Sequence, residues 1–437
     1  MPPITTLVAT ASPEVPVRKL GAASSAKGVR AMAFDELAGL SFGARLKAVR
    51  QRAGKTRAVV AGLMGYSESW LKFVESGRIK PPGLPVLVRF AEVLGVADLV
   101  ELTGNQPIAM SVTGQAGHEA VPGVREAIEA PLLAPEAAVV PNVSTLTARV
   151  VDAWALWHTS PTPRASVGAV LPRIITDARI ACRTLDGLDR RQAHAALSSA
   201  YALSEQLLAW VADSSLLWLA ADRCMTSAEQ ADDPIALATA AWVVGNVWRS
   251  SRTDEALELA HDAASLLEPR LDTSQEARAL WGAVRLHGSI TAARMGREGD
   301  ALRMLDQAGE MAGRMPTGYA HPATLFGGAN AALTGVSVHV ELRKGAKAVE
   351  AAELVDPDTV PSLDRRARVW LEVARGYQQR KESTAALHVL QRAVGTSRES
   401  MACHPLSRSL AAELATKGGA LVEREARVLA ATLDVTI

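Results

Sequence analysis

Only three cysteines occur in 437 residues, and Cys182, Cys224 and Cys403 stand far apart with no C-x-x-C spacing. That leaves no zinc cluster and no disulfide framework, and it fits a reducing, cytoplasmic setting. No apolar run approaches the roughly 20 residues that a membrane helix needs. The N-terminus also lacks the basic start and apolar core of a signal peptide, so no membrane partner is expected. Charge of one sign is missing as well: 47 Lys and Arg against 46 Asp and Glu leave a formal net charge of +1. Any nucleic-acid footprint must therefore be local. There is no Walker loop, no metal-spaced His/Cys group and no Ser or Cys nucleophile beside a base pattern, so neither an enzyme nor a cofactor or metal site is expected. Strand-type alternation of useful length is absent, and the fold class expected is all-α.

What is present starts with a local charge imbalance. Between Phe42 and Pro82, Arg45, Lys47, Arg50, Arg52, Lys55, Arg57, Lys72, Arg78 and Lys80 face only Glu68 and Glu75. The same stretch reads as three short helices. In the middle one, Val60, Leu63 and Met64 fall at helical spacing, and Gly65 ends it. Ser67 suits the N-cap of the third, which puts Trp70, Leu71 and Val74 on one side and Glu68, Ser69, Lys72 and Phe73 on others. Helix, glycine-containing turn and helix make a helix-turn-helix. Leu84, Leu87, Val88, Ala91 and Leu94 predict a fourth helix with an inward face, and a short fifth is expected near Ala97 to Leu102.

Phe42 to Val96 resembles the DNA-binding domain of the Cro/C1 (XRE) repressor family. The resemblance is carried by Arg50, Thr56, Val60, Ala61, Gly65, Ser67, Leu71, Val74, Glu75, Gly77 and Pro81. It implies a five-helix domain whose third helix enters the major groove of double-stranded DNA. Glu68, Ser69 and Phe73 then stand at base-facing positions: a carboxylate accepts from a cytosine amino group, and a phenyl ring rests on a thymine methyl. Thr56, Arg57, Lys72, Arg78 and Lys80 are implied as phosphate contacts, with Ser67 at the helix start. Arg50 and Glu75 occupy the family's internal ion-pair positions. Arg57 replaces the family's usual Gln, which predicts that the phosphate contact is kept and the contact bracing the recognition helix is lost. Trp70 is expected to pack at the edge of the domain. One such domain buries too little surface for a tight specific site, so a homodimer reading two half-sites is implied.

Composition divides the chain further. Residues 1–40, rich in Pro, Ala, Ser and Thr, predict a disordered arm with a short helix near its end. Residues 41–103 hold the DNA-binding domain, and 104–142 form a Pro/Gly/Ala-rich linker with one short helix at Val124 to Ala130. From residue 143 to 437 an Ala/Leu/Arg-rich helical pattern repeats. From Ala367 onward, Trp370, Ala374, Tyr377, Ala386, Leu390 and Ala393 fit positions 4, 8, 11, 20, 24 and 27 of a tetratricopeptide-type unit. Small residues there let two antiparallel helices approach closely while large ones fill the gaps. Five or so pairs between about 190 and 400 predict a curved solenoid, with a further pair before them and a final helix near Val422 to Leu433 as a cap.

The inner surface of such a solenoid takes Trp242, Asn246, Arg249, His287, Arg294, Arg368, Glu372, Arg375, Gln378 and Gln379. Asn246 sits where tetratricopeptide domains hydrogen-bond an extended peptide; it equally suits a helix cap. A Cro/C1-type reader followed by such repeats is similar to peptide-sensing regulators of Gram-positive bacteria and to large actinobacterial regulators. The function expected is a sequence-specific transcription regulator whose repeat domain senses a peptide or small-molecule effector, dimerises, or both. The alternative is a protein-interaction scaffold with a DNA tether.

Overall fold

The computed structural model describes residues 40–64, 66–79, 84–94, 96, 100–104, 117–131, 142–249, 251–354, 356–435 and 437. The N-terminal arm, Gly65, Lys80, Pro81 and most of the expected linker lie outside these residues, as do the side chains of Leu84 and Val88. Among the described residues all regular structure is helical, and the chain divides into one unit ending at Ile108 and a second beginning at Ala109.

Among its described residues the first unit holds five helices: α1 (Phe42–Arg52), α2 (Arg57–Met64), α3 (Glu68–Glu75), α4 (Leu84–Leu94) and α5 (Val100–Thr103). Ser41 caps α1 and Ser67 caps α3, each hydroxyl accepting from the amide three residues on. Leu46, Val49, Val60, Ala61, Met64, Leu71, Val74 and Phe90 form the core. Gly43 lets α1 lie directly on the end of α3, since a Cβ there would sit 2.5 Å from the Val74 carbonyl oxygen. Leu63, which shares the helical spacing of Val60 and Met64, is 52% exposed. At 3.6 residues per turn Val60, Met64 and Ala61 fall within one arc of about 100°, which faces the core, and Leu63 lies about 60° outside that arc.

In the second unit, α6 (Val121–Glu129) comes first, followed by six antiparallel pairs. These are α7 (Val143–Thr159) with α8 (Pro163–Thr184), α9 (Gly187–Leu208) with α10 (Ser214–Ala231), and α11 (Pro234–Trp248) with α12 (Thr253–Leu267). After them come α13 (Gln275–Arg294) with α14 (Glu298–Gly313), α15 (Gly328–Glu341) with α16 (Gly345–Glu353), and α17 (Leu363–Gln379) with α18 (Ser383–Thr396). Helix α19 (Arg398–Cys403) leads to a last pair, α20 (Pro405–Lys417) and α21 (Ala420–Thr432). The repeat spacing appears in packing: Ala374, Ala386, Leu390 and Ala393 are wholly buried between α17 and α18, where small side chains permit the close approach.

Two differences from the sequence expectation follow from burial. Helix α6, expected inside a linker, buries Val124 and Ile128 against α8, so it is part of the solenoid's core. The end of the chain is a helix pair on α18, where the sequence suggested a single capping helix. The second unit also turns back on itself. His158, at the end of α7, faces the Ser362 hydroxyl at 3.2 Å and the Pro322 carbonyl at 2.8 Å. The Glu399 carboxylate accepts from the Arg164 and Ala165 amides at 2.8 and 3.1 Å, capping the N-terminus of α8 from the far end of the array. Arg164, with no exposure, pins the seam by donating to the Leu207 and Ala209 carbonyls.

Candidate DNA-reading face and effector cavity

The face that α3 presents is set by what it buries. Leu71 and Val74 face the core, leaving Glu68, Ser69, Lys72 and Phe73 outward. Phe73 is 37% exposed, and the Arg78 guanidinium lies over its ring at 5.7 Å, giving a flat cationic platform beside the helix. The Thr56 hydroxyl accepts from the Val59 amide at the start of α2, leaving exposed amides and hydroxyl at a helix N-terminus, which suits a phosphate. Trp70 packs at the domain edge between Tyr66, 3.9 Å away and stacked, and Phe90.

The ion pair expected between Arg50 and Glu75 is present, and it has a third member. Arg50 donates from Nε and Nη2 to the two carboxylate oxygens of Glu75 at 2.5 and 3.2 Å, and its Nη1 ties the Lys55 carbonyl at 2.8 Å. Arg57 Nε donates to Glu75 Oε2 at 2.7 Å. The expected loss of the bracing contact is thus corrected: Arg57 braces α3 through Glu75, because its longer side chain reaches the carboxylate that ends the helix. Burial pushes the Glu75 carboxyl up, but the hydrogen bonds and charges of Arg50 and Arg57 hold it below its ordinary value. Arg52 pairs with Glu101. Three of the nine cations in the basic stretch are therefore occupied inside the domain, leaving Lys47, Lys72 and Arg78 among those exposed.

In the second unit, Trp242, Asn246, Arg249, His287, Arg294 and Arg368 line one cavity of about 320 Å³. An adjoining cavity of about 310 Å³ shares Arg249, Arg294 and Arg368 with it. Arg375 and Gln378 are set apart from both linings: Arg375 is bound to Glu341 and Glu372 at 3.1 and 2.6 Å. Asn246 is committed internally, its Nδ2 facing Glu205 at 3.5 Å and its Oδ1 accepting from Arg249 at 3.0 Å. That corrects the picture of a free amide waiting for a peptide backbone. Trp242 is buried and forms part of the cavity wall. His287 is buried against Gly245, where a Cβ would lie 2.7 Å from Nε2. Burial, then Arg249 and Arg294, keeps its imidazole neutral, so Nδ1 accepts from the Arg249 guanidinium.

Sequence reasoning missed Glu205, Trp210 and Arg365. Glu205, 3% exposed, is pushed up to about 7 by burial against hydrogen bonds from Gln206 and Asn246. Trp210 lines both cavities with φ of 68°, and the Arg368 guanidinium lies 4.3 Å from its ring. A left-handed tryptophan is strained, and the loop between α9 and α10 holds it there. Nothing in a single sequence marks that turn. Arg365 was overlooked because it lies off the repeat positions used to choose inner-face residues.

A helix-turn-helix domain family model matches residues 41–103. No curated protein matches the chain. Among solved structures, ComR from S. thermophilus in complex with DNA and its signalling peptide ComS is similar at 12% identity, covering 82% of this chain and 99% of that one, with a TM-score of 0.26. The apo form of the same protein matches at 12% identity, 85% and 97% coverage and the same TM-score. A TM-score of 0.26 does not establish a shared architecture.

Proposed function

We propose that the chain is a sequence-specific transcription regulator, since a helix-turn-helix domain model matches residues 41–103. It reads duplex DNA through α3 as a homodimer and responds to an effector held in the second unit. The observation that carries the reading is the division of α3 into a locked side and an open side: Glu75 is clamped by two arginines, while Glu68, Ser69, Lys72 and Phe73 are left to solvent. An element fixed to that degree holds its outward side chains at one register against base edges. Base contacts come from Glu68, Ser69 and Phe73. Phosphate contacts come from Lys72, Arg78 and the N-terminus of α2 at Thr56, with Arg57 positioning α3 rather than gripping the backbone. The effector role rests on the convergence of Trp242, Asn246, Arg249, His287, Arg294 and Arg368 on one cavity.

A mobility-shift assay with the full chain and a duplex from the region upstream of its own gene tests this. The expected result is a shifted band that survives excess nonspecific competitor and disappears with Lys72→Ala. Binding that competitor abolishes equally in the native chain and the variant overturns it, and leaves the second unit as a protein-docking scaffold.

A further inference from the structure

We propose that the cavity of the second unit is a site for a compact oxyanion carrying two or more negative charges, as carboxylates or phosphates, on a small partly apolar body. The proposal deepens the effector reading above and rests on it. Four guanidinium groups, Arg249, Arg294, Arg365 and Arg368, reach the lining from α11, α13 and α17. Their partners do not balance them. Arg294 has Glu341 at 3.6 Å, and Arg368 has Asp364 at 3.8 Å. Glu341 and Glu372 are also held by Arg375.

Arg249 and Arg365 have no carboxylate within 4 Å among the described residues, and the buried Nε of Arg249 has no hydrogen-bond partner. A guanidinium taken partly out of water is ordinarily met by a carboxylate or another acceptor. Two half-buried arginines with no carboxylate within 4 Å, in one partly open cavity, are therefore complementary to an anion with matching charge. Glu205, the carboxylate in the same lining, is directed to Gln206 and Asn246 at 2.6 and 3.5 Å. The planar fork of a guanidinium suits the paired oxygens of carboxylate or phosphate, and Trp210, Leu286 and Ile290 supply an apolar wall. About 320 Å³ matches the lower end of small-molecule sites. With the array closed at His158 and Glu399, that space suits a metabolite-sized ligand better than an extended peptide.

The test uses the full chain at constant ionic strength, with thermal melts and titration calorimetry. Inorganic pyrophosphate probes for phosphate, citrate for carboxylate, and glucose serves as a neutral control. One of the two oxyanions should raise the melting temperature by several degrees where glucose does not. Arg365→Gln should weaken its binding at least tenfold, and Lys72→Ala, on the DNA-reading face, should leave it unchanged. Arg294→Gln, whose side chain is 36% exposed, supplies a second variant if Arg365→Gln folds poorly. The proposal is overturned if neither oxyanion stabilises the chain, or if stabilisation persists unchanged in both arginine variants. A DNA shift run in parallel separates the two levels. Selective DNA binding without oxyanion binding removes this site and leaves the regulator. An oxyanion bound through Arg365 that leaves DNA affinity unchanged supports the site and removes the effector role.

Discussion

Glu75 joins two roles that the sequence presents separately: it ends α3 and neutralises two cations. Arg50 is 7% exposed, so removing Glu75 strands a buried positive charge. Glu75→Leu should cost about 3 to 5 kcal/mol in thermal or urea melts, and the Arg50→Met/Glu75→Leu double variant should recover much of it, since no lone charge remains. Arg57→Ala should cost about 1 kcal/mol or less, as its side chain is 34% exposed. Simple additivity of Arg50→Met and Glu75→Leu contradicts the coupling. Glu205 behaves in the opposite way. Its folded value near 7 lies above the ordinary 4.5, so between those values the folded chain holds a proton that the unfolded chain lacks. Glu205 therefore costs stability increasingly as pH rises from about 4.5 to 7, and the full cost, on the order of 3 kcal/mol, is present above that range. Glu205→Gln should raise the melting temperature at pH 8 and have little effect at pH 4.5; an equal effect at both contradicts the burial account. The pair Arg50 and Glu75 was implied by the resemblance to the Cro/C1 family. Arg57 was not, because whether a longer side chain keeps a contact depends on where the third residue ends up.

At the scale of elements, α3 was readable because its signals are local: a Ser67 cap, apolar Leu71 and Val74 one turn apart, and a basic surround. The helix pairs were readable for the same reason, and Ala374, Ala386 and Ala393 are buried as their spacing requires. Helix α6 was placed in a linker because Pro and Gly dominate its neighbourhood, while its burial depends on α8, more than thirty residues later. Lys72 is exposed and makes no ion pair within 4 Å among the described residues, so Lys72→Ala should weaken DNA binding evenly across sequences. Measured as log K against log salt, the slope should fall by about 0.9, one phosphate contact. A changed base preference with an unchanged slope would place Lys72 at a base edge instead.

At the scale of the whole molecule, the closure of the second unit was not legible. His158 to Ser362 and Arg164 to Glu399 join residues more than two hundred positions apart, and no periodicity predicts such contacts. Within the closed second unit, six of the ten residues that the sequence placed on the solenoid's inner surface reach the wall of one cavity. The dimer expected from the small size of the reading domain is a prediction for sedimentation at micromolar concentration, and a monomer that still binds one palindrome tightly contradicts it. The central claim, that α3 reads specific DNA for this chain, is tested most directly by genome-wide mapping of the DNA bound by the native chain and by Lys72→Ala. One recurring motif made of two half-sites about 10 base pairs apart, centre to centre, is predicted, with occupancy lost in the variant. Bound regions that share no motif, or a motif occupied equally by both proteins, would contradict it.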